Sequence, residues 1–320
     1  MRTWLGILVV AAIVAVVALF TVGAVIGSDA PVREPDQRRV TAPPVKASVP
    51  APGTGIAGAS RYVLAAPDAP LPVEVEFERE PAAGVLFDVD TGEVLWELNA
   101  DERLPIASLT KMMSSLVIAE RHQPSELVEI TPEALAYEGS GVGVLPKGKE
   151  VKLESLLKGL LLVSGNDAAI ALAQHDAGSV DAFVRRMNRS RSRYGLTCSH
   201  FTSPHGLQDE GNYSCARDLA ALARADLDTP RIAAIVGANN ARFPFPTKGG
   251  YLDLYNNNPL IRNGTPGMTG VKTGYTDAAG RCYVMTQRTG DRHLGVVLLD
   301  SPKPLEQVPA LLRAGLRQDS

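Results

Sequence analysis

"ASLTKMMSSL", residues 107–116, carries one charged side chain, Lys111, three positions after Ser108. On a helix these two side chains project about 60° apart, one turn removed. A lysine amine so placed can take the proton of a serine hydroxyl once burial makes the amine neutral. The apolar stripe is Leu109, Met112, Met113, Leu116 and Val117. The opposite face holds Ser108, Thr110, Lys111, Ser114 and Ser115, small and uncharged except for the lysine. Such a face reads as packed rather than solvated. The stretch alone leaves two readings: a base beside a nucleophile, or a lysine that snorkels from an ordinary helix.

Ser-x-x-Lys is a weak pattern, expected by chance about once in a chain of this size. A second copy, Ser155 to Lys158, provides a comparison. Its neighbours Lys152 and Glu154 lie away from Leu153, Leu156, Leu157 and Leu160, which reads as a solvated face. Two further patterns bear on the choice. "LLKGLLLVSGNDAAIALA" (156–173) is apolar on both sides of Ser164-Gly165-Asn166. Buried hydroxyl and amide groups need partners, although Ser164 or Asn166 would equally serve as an N-cap. "GVKTGYT" (270–276) sets Lys272, Thr273 and Gly274 in a β-like run, where glycine permits close approach to the backbone. It is not a P-loop, because Val271 precedes the lysine.

"AAGVLFDVDTGEVLWELN" (82–99) is two apolar runs around Asp90-Thr91-Gly92, a hairpin. Asp88 and Asp90 are read as turn residues rather than paired catalytic carboxylates. Helical patterns run from Ser108 to beyond Arg217. Strand patterns return in "MTGVKTGYT" (268–276), "RCYVMTQRTG" (281–290) and "HLGVVLLD" (293–300), and "PLEQVPALLRAGLR" (304–317) predicts an amphipathic helix with Pro309 near its start or at a kink. Strands at both ends with helices between predict an α+β fold whose terminal strands share one antiparallel sheet.

The 320 residues carry 32 Lys and Arg against 35 Asp and Glu, a net charge of −3, and aromatics make up 5%. No basic groove with interleaved aromatics is present, which argues against nucleic acid as a partner. Trp4 to Gly27 is uncharged and, as a helix, about 36 Å long, enough for a bilayer core. A signal peptide has a shorter apolar core, and the small-residue site "SDA" precedes Pro31, so an uncleaved anchor is expected. Arg33, Arg38 and Arg39 follow the span while only Arg2 precedes it, so charge counting favours a cytoplasmic C-terminal side. Long domains cross largely regardless of charge, which leaves the chemistry to decide. The expected organisation is an anchor at 1–27, a Pro/Ala-rich linker at 28–81 and a catalytic domain at 82–320. Within the linker, "VEVEFERE" (73–80) alternates like a strand.

Ser-x-x-Lys, Ser-x-Asn and Lys-Thr-Gly in that order mark the penicillin-recognising serine enzymes. With "FTSPHGL" (201–207), "YSCARDLAALAR" (213–224) and "GVKTGYTDAAGRCYV" (270–284), the chain resembles the D-alanyl-D-alanine carboxypeptidases of the low-molecular-mass penicillin-binding proteins over residues 82–318. The resemblance implies the serine β-lactamase/DD-peptidase fold: a five-stranded antiparallel sheet flanked by helices, with a helical subdomain. It implies Ser108 as acylated nucleophile, Lys111 as its base and Ser164 as proton relay to the departing amine. Asn166 would bind the substrate backbone, and Lys272 and Thr273 its terminal carboxylate. The oxyanion hole would use the N–H groups of Ser108 and of Tyr275, the residue after Gly274. His205, in "PHGL", is given a structural role.

The partners implied are peptidoglycan stem peptides, β-lactams as covalent inhibitors and the membrane through the N-terminal helix, with the domain extracytoplasmic. No cofactor is expected, and no His or Cys spacing points to a metal. Where many relatives carry an arginine after the last strand, this chain reads Asp300-Ser301-Pro302-Lys303, so either Lys303 substitutes or Lys272 and Thr273 suffice. A bridge between Cys198 and Cys215 would close the loop between them, while three buried thiols, with Cys282, is the other reading. Competing activities are a DD-endopeptidase on the same scaffold, a serine β-lactamase and a catalytically dead wall-binding module. A class A β-lactamase needs a deacylating glutamate, and the nearest candidate is Glu210 in "LQDEGN".

Overall fold

The structure is a computed structural model, and it describes residues 60–65, 70–207 and 210–318. The predicted membrane span at 4–27 lies outside these residues. Among the described residues no helix is long and apolar enough to cross a membrane.

Five strands form one antiparallel sheet: β1 (Ala83–Asp88), β2 (Val94–Leu98), β3 (Met268–Thr276), β4 (Gly280–Thr289) and β5 (Arg292–Leu299). Their spatial order is β2-β1-β5-β4-β3, so the first hairpin joins the last three strands through the β1–β5 pairing, Ala83 opposite Leu299. This is the sheet drawn from both chain ends that the sequence predicts. The Asp88 carboxylate accepts the backbone N–H groups of Asp90 and Thr91, as a turn residue should.

Both sheet faces are buried, so β1 reads as an almost continuous apolar run. Val85, Phe87, Val284, Val297 and Leu299 face the helical layer. Leu86, Met285, Val296 and Leu298 face Val308, Leu311 and Leu312 on the C-terminal helix (Pro304–Leu316). Phe87 lies opposite Gly295. A Cβ there would sit 2.3 Å from the Phe87 ring, so the glycine makes room for that side chain. Pro309 lies within the C-terminal helix rather than at its start.

The helical layer contains α1 (Thr110–Arg121), α2 (Leu153–Leu162), α3 (Asn166–Ala177), α4 (Val180–Tyr194) and α5 (Ala216–Asp228). The central helix is α1, buried from Thr110 to Ile118 on all sides. Its polar face is packed, and each group there has a partner. Asn212 Nδ2 donates to Thr110 Oγ1 at 2.9 Å, and Ser114 Oγ donates to the Pro204 carbonyl at 2.7 Å.

Residues 60–65 and 70–81, assigned to the linker by composition, meet the domain before the predicted boundary at 82. Leu64 and Val73 are buried, Tyr62, Val75 and Phe77 pack against the two cores, and Phe77 meets Trp96 edge-on at 6.2 Å. The alternation in "VEVEFERE" buries one side of an extended segment that joins no sheet among the described residues. Cys198 and Cys215 form a disulfide with a Cα–Cα distance of 5.9 Å. A loop of that size is stabilised by about 3 kcal/mol. Cys282 is buried in β4, its thiol against the Ala279 carbonyl at 3.3 Å.

Candidate active site

Ser108 sits in a single 3₁₀ turn, Ala107–Leu109, that leads into α1. Ala107 before it takes φ 48°, a left-handed conformation that costs a non-glycine residue free energy. The start of α1 leaves backbone N–H groups without intrahelical acceptors, and its dipole favours negative charge there.

Lys111 is fully buried. Its Nζ has three neighbours: Ser108 Oγ at 2.9 Å, Asn166 Oδ1 at 2.7 Å and the His205 carbonyl at 2.8 Å. Asn166 Nδ2 donates to the Glu138 carbonyl at 2.6 Å, which fixes the amide oxygen toward the lysine. Two of the three neighbours can therefore only accept. A neutral amine has two N–H bonds for them, and its lone pair is left for the Ser108 hydroxyl. Burial, then the nearby Lys272 charge, pushes the Lys111 pKa well below its ordinary value. The arrangement can draw the proton from Ser108.

Asn166 does not cap its own helix. The N-cap of α3 is Gly165, which makes no side-chain cap. Ser164 takes φ 61°, the second strained residue at this site. Its Oγ accepts from Lys272 Nζ at 3.0 Å, and the same amine donates to the Thr273 carbonyl at 2.7 Å. Burial lowers the Lys272 pKa to about 7.

The third motif lies on β3, beside Ser108. A Cβ on Gly274 would lie 2.9 Å from Ser108 N and 3.1 Å from Ala107 Cβ. Only a glycine lets the strand approach this closely. Tyr275 follows it and is exposed. Ser108, Ser164, Thr273, Gly274 and Tyr275 line one open cavity of about 500 Å³. Asn166 and Lys111 stand behind Ser108, and Lys272 behind Ser164. All eight residues singled out in the sequence thus meet at one place.

Other residues of this cavity carry no motif. Ser140, Asn257, Arg281 and Tyr283 line it too. Arg281 lies opposite Tyr275 across the β3–β4 pair. Lys303, the sequence candidate for carboxylate binding, contacts Glu78 and Glu306 at 3.5 Å each. It is not among the cavity-lining residues, so Arg281 is the exposed cation there. His205 contributes through its backbone carbonyl, which no side-chain motif reports. Burial foremost, with Lys111 adding to it whenever that amine carries a proton, lowers its imidazole pKa to about 4. The second Ser-x-x-Lys is elsewhere. Ser155 is buried, contrary to the solvated reading, and Lys158 Nζ stands over the Phe243 ring at 5.1 Å. Glu210 is exposed and lies outside the cavity lining.

A both-ends sheet that carries Lys-Thr-Gly against the foot of a buried Ser-x-x-Lys helix is the fold of the serine β-lactamases and DD-peptidases. The family model described as D-alanyl-D-alanine carboxypeptidase matches residues 72–303, and the chain belongs to that family. It is 35% identical over 237 residues to the D-alanyl-D-alanine carboxypeptidase DacF of Bacillus subtilis, covering 72% of this chain and 60% of that one. It is 38% identical over 221 residues to DacA of Escherichia coli K12, covering 66% and 53%. The chain thus spans somewhat more than half the length of these curated relatives. A solved D-alanyl-D-alanine carboxypeptidase from Mycobacterium tuberculosis superposes with a TM-score of 0.71 at 31% identity, covering 79% of this chain and 96% of that one.

Proposed function

We propose that this protein is a serine D-alanyl-D-alanine carboxypeptidase that removes the terminal D-Ala from peptidoglycan stem pentapeptides through an acyl-enzyme. The observation that carries the reading is the Lys111 amine, 2.9 Å from Ser108 Oγ with its other two partners limited to accepting.

Neutral Lys111 takes the Ser108 proton, and Oγ attacks the carbonyl carbon of the penultimate D-Ala. The N–H groups of Ser108 and Tyr275 hold the oxyanion; one such donor contributes on the order of 3 kcal/mol in the transition state. The C–N bond breaks, and the proton that Lys111 took passes by way of Ser164, whose hydroxyl Lys272 orients, to the departing amine, which leaves Lys111 neutral again. Asn166 binds the peptide backbone. Thr273 and Arg281 hold the terminal carboxylate, with Lys272 adding positive potential from behind. Water then hydrolyses the ester, aided by the room that free D-Ala leaves. A β-lactam acylates Ser108 in the same way, but its leaving amine stays tethered and obstructs that water.

No carboxylate is among the described residues lining the cavity, which favours a peptidase over a β-lactamase. Mass spectrometry after a penicillin pulse, alongside free D-Ala from a pentapeptide, tests this. A persistent adduct with rapid D-Ala release is expected. Rapid return to the unmodified mass with no D-Ala would make it a β-lactamase. Cleavage of a crosslinked dimer in preference to the pentapeptide would make it an endopeptidase, and a Ser108 that never acylates would make it a binding module.

Residues 4–27 anchor the protein in the cell membrane, and the Pro/Ala-rich stretch after them tethers the domain on the outer side, where the proposed substrate lies. Charge counting alone favours the opposite orientation, and the chemistry of the site decides against it. Protease added to intact spheroplasts should release the folded domain. Complete protection would reverse the orientation.

A further inference from the structure

His122, Glu126 and His175 are separated by up to 53 positions in sequence and show no metal-binding spacing. Folding brings them together. His122 is the C-cap of α1, and His175 lies in the last turn of α3. Both imidazoles converge on one carboxylate oxygen: His122 Nδ1 is 2.8 Å and His175 Nε2 3.0 Å from Glu126 Oε2. The ring centroids are 5.0 Å apart. The three donor atoms all lie within 4.8 Å of one another.

The surroundings are ordered as a metal site requires. His122 Nε2 faces Asp176 Oδ1 at 2.9 Å. That carboxylate is fully buried and is held in turn by Arg121 and Arg186. A carboxylate on the outer nitrogen fixes the ring and directs the inner nitrogen at the site. Gln123 N donates to Glu126 Oε1 at 2.5 Å, which leaves Oε2 for the two rings. Both helices present their C-terminal ends here, where the dipole favours a cation. The site keeps access to solvent: side-chain exposures are 14% for His122, 34% for Glu126 and 23% for His175.

We propose that His122 Nδ1, His175 Nε2 and Glu126 Oε2 bind one divalent first-row transition-metal ion, of which zinc is representative. Two imidazoles and a carboxylate suit that class rather than calcium or magnesium, which take all-oxygen ligands. Three protein ligands leave room for water. Each ring nitrogen, now 2.8 and 3.0 Å from Glu126 Oε2, need move from that oxygen by only about half an ångström to share an ion with metal–ligand bonds near 2.0–2.2 Å. The ion would pin the far ends of α1 and α3, the helices whose near ends deliver Lys111 and Asn166. Along α1 the site is about 20 Å from Ser108. It therefore acts on the scaffold and takes no part in acylation.

The test uses the full chain, untagged, in detergent and stripped with a chelator. Zinc is titrated against a chromophoric competitor, and cobalt(II) reports coordination by its d–d absorption. Wild type should bind one equivalent and show the intense bands of low-coordinate cobalt. Its Tm should rise by roughly 5–10 °C at a hundredfold excess over Kd. His175→Ala and Glu126→Gln should each lose the site, Asp176→Asn should weaken it by about 10–100-fold, and His200→Ala should leave it intact. Circular dichroism verifies that each variant is folded; His175 is partly exposed, so that variant carries the test if a buried one does not fold. Absence of stoichiometric binding to wild type, or full retention in both His175→Ala and Glu126→Gln, would overturn the proposal.

Discussion

Lys111 Nζ lies 2.9 Å from Ser108 Oγ, and the two oxygens that complete its surroundings, Asn166 Oδ1 and the His205 carbonyl, can only accept. This sorts the lone pair of a neutral amine toward the serine. Ser108→Ala should abolish labelling by a fluorescent penicillin, and Ser155→Ala should leave it intact. Lys111→Arg should not rescue a loss seen in Lys111→Met, since a guanidinium stays protonated. Burial and the Lys272 charge both lower the Lys111 pKa. The rate of acylation should therefore rise with pH and level off well below 10.5. In Lys272→Met the like charge is gone, so the inflection should move to higher pH as the rate falls. An unmoved or lowered inflection would sink the electrostatic part of this account.

Gly274 is required by contact rather than by backbone angle. A methyl group there would press on Ser108 N at 2.9 Å and on Ala107 Cβ at 3.1 Å. Relief means moving β3 away from the serine, and oxyanion donors act over only about 2.7–3.1 Å. Gly274→Ala should slow penicillin acylation by about 10²–10³-fold, the range for losing one donor, while the protein stays folded by circular dichroism. An acylation rate equal to wild type in the folded variant would remove Gly274 and Tyr275 from the oxyanion hole.

Arg281 and Lys303 make opposite predictions. Arg281 lines the cavity, whereas Lys303 is engaged with Glu78 and Glu306. A hydrogen bond to a charged group contributes about 1.5–3 kcal/mol. Arg281→Ala should lower kcat/KM for a D-Ala-D-Ala peptide by about tenfold or more, mostly through KM. The effect should vanish when the terminal carboxylate is amidated. Lys303→Ala should change neither parameter. The reverse pattern would return the carboxylate to Lys303.

What could be read in advance was local. Ser108 and Lys111 are one turn apart, Lys272-Thr273-Gly274 is contiguous, and the terminal strands announce themselves by apolar runs buried on both faces. What was missed depends on contacts between distant segments or on backbone atoms. Arg281 reaches the cavity only because β3 and β4 pair it with Tyr275. The His205 contribution is a carbonyl, which every residue has. The hairpin Asn240–Pro244 with Tyr251–Tyr255 hides because Pro244 breaks the strand signal and its alternation is mostly exposed. Residues 60–65 and 70–81 read as linker because Pro and Ala outweigh the few anchors, Leu64, Val73 and Phe77, that dock them.

Asp226 on α5 is fully buried against α1, with Ser115 Oγ 3.2 Å from Oδ1 and no partner for Oδ2 among the described residues. Burial drives its pKa well above the ordinary 3.8, and the Ser115 contact offsets this only in part. The folded protein therefore holds a proton that the unfolded chain releases near the ordinary value. Above that pH the unfolded state binds fewer protons, so stability falls as pH rises, until the folded carboxyl itself ionises. Full stability from this group is present only below about pH 4. Asp226→Asn keeps the shape and removes the titration. Its Tm should exceed wild type at pH 7, by about 2–4 °C for each kcal/mol recovered. The two curves should converge as pH falls toward 4. Measuring Tm of both proteins between pH 4 and 8 by calorimetry decides the matter. A variant less stable than wild type at pH 7, or a difference that does not change with pH, would mean that Asp226 is ionised in the folded protein and held by a partner.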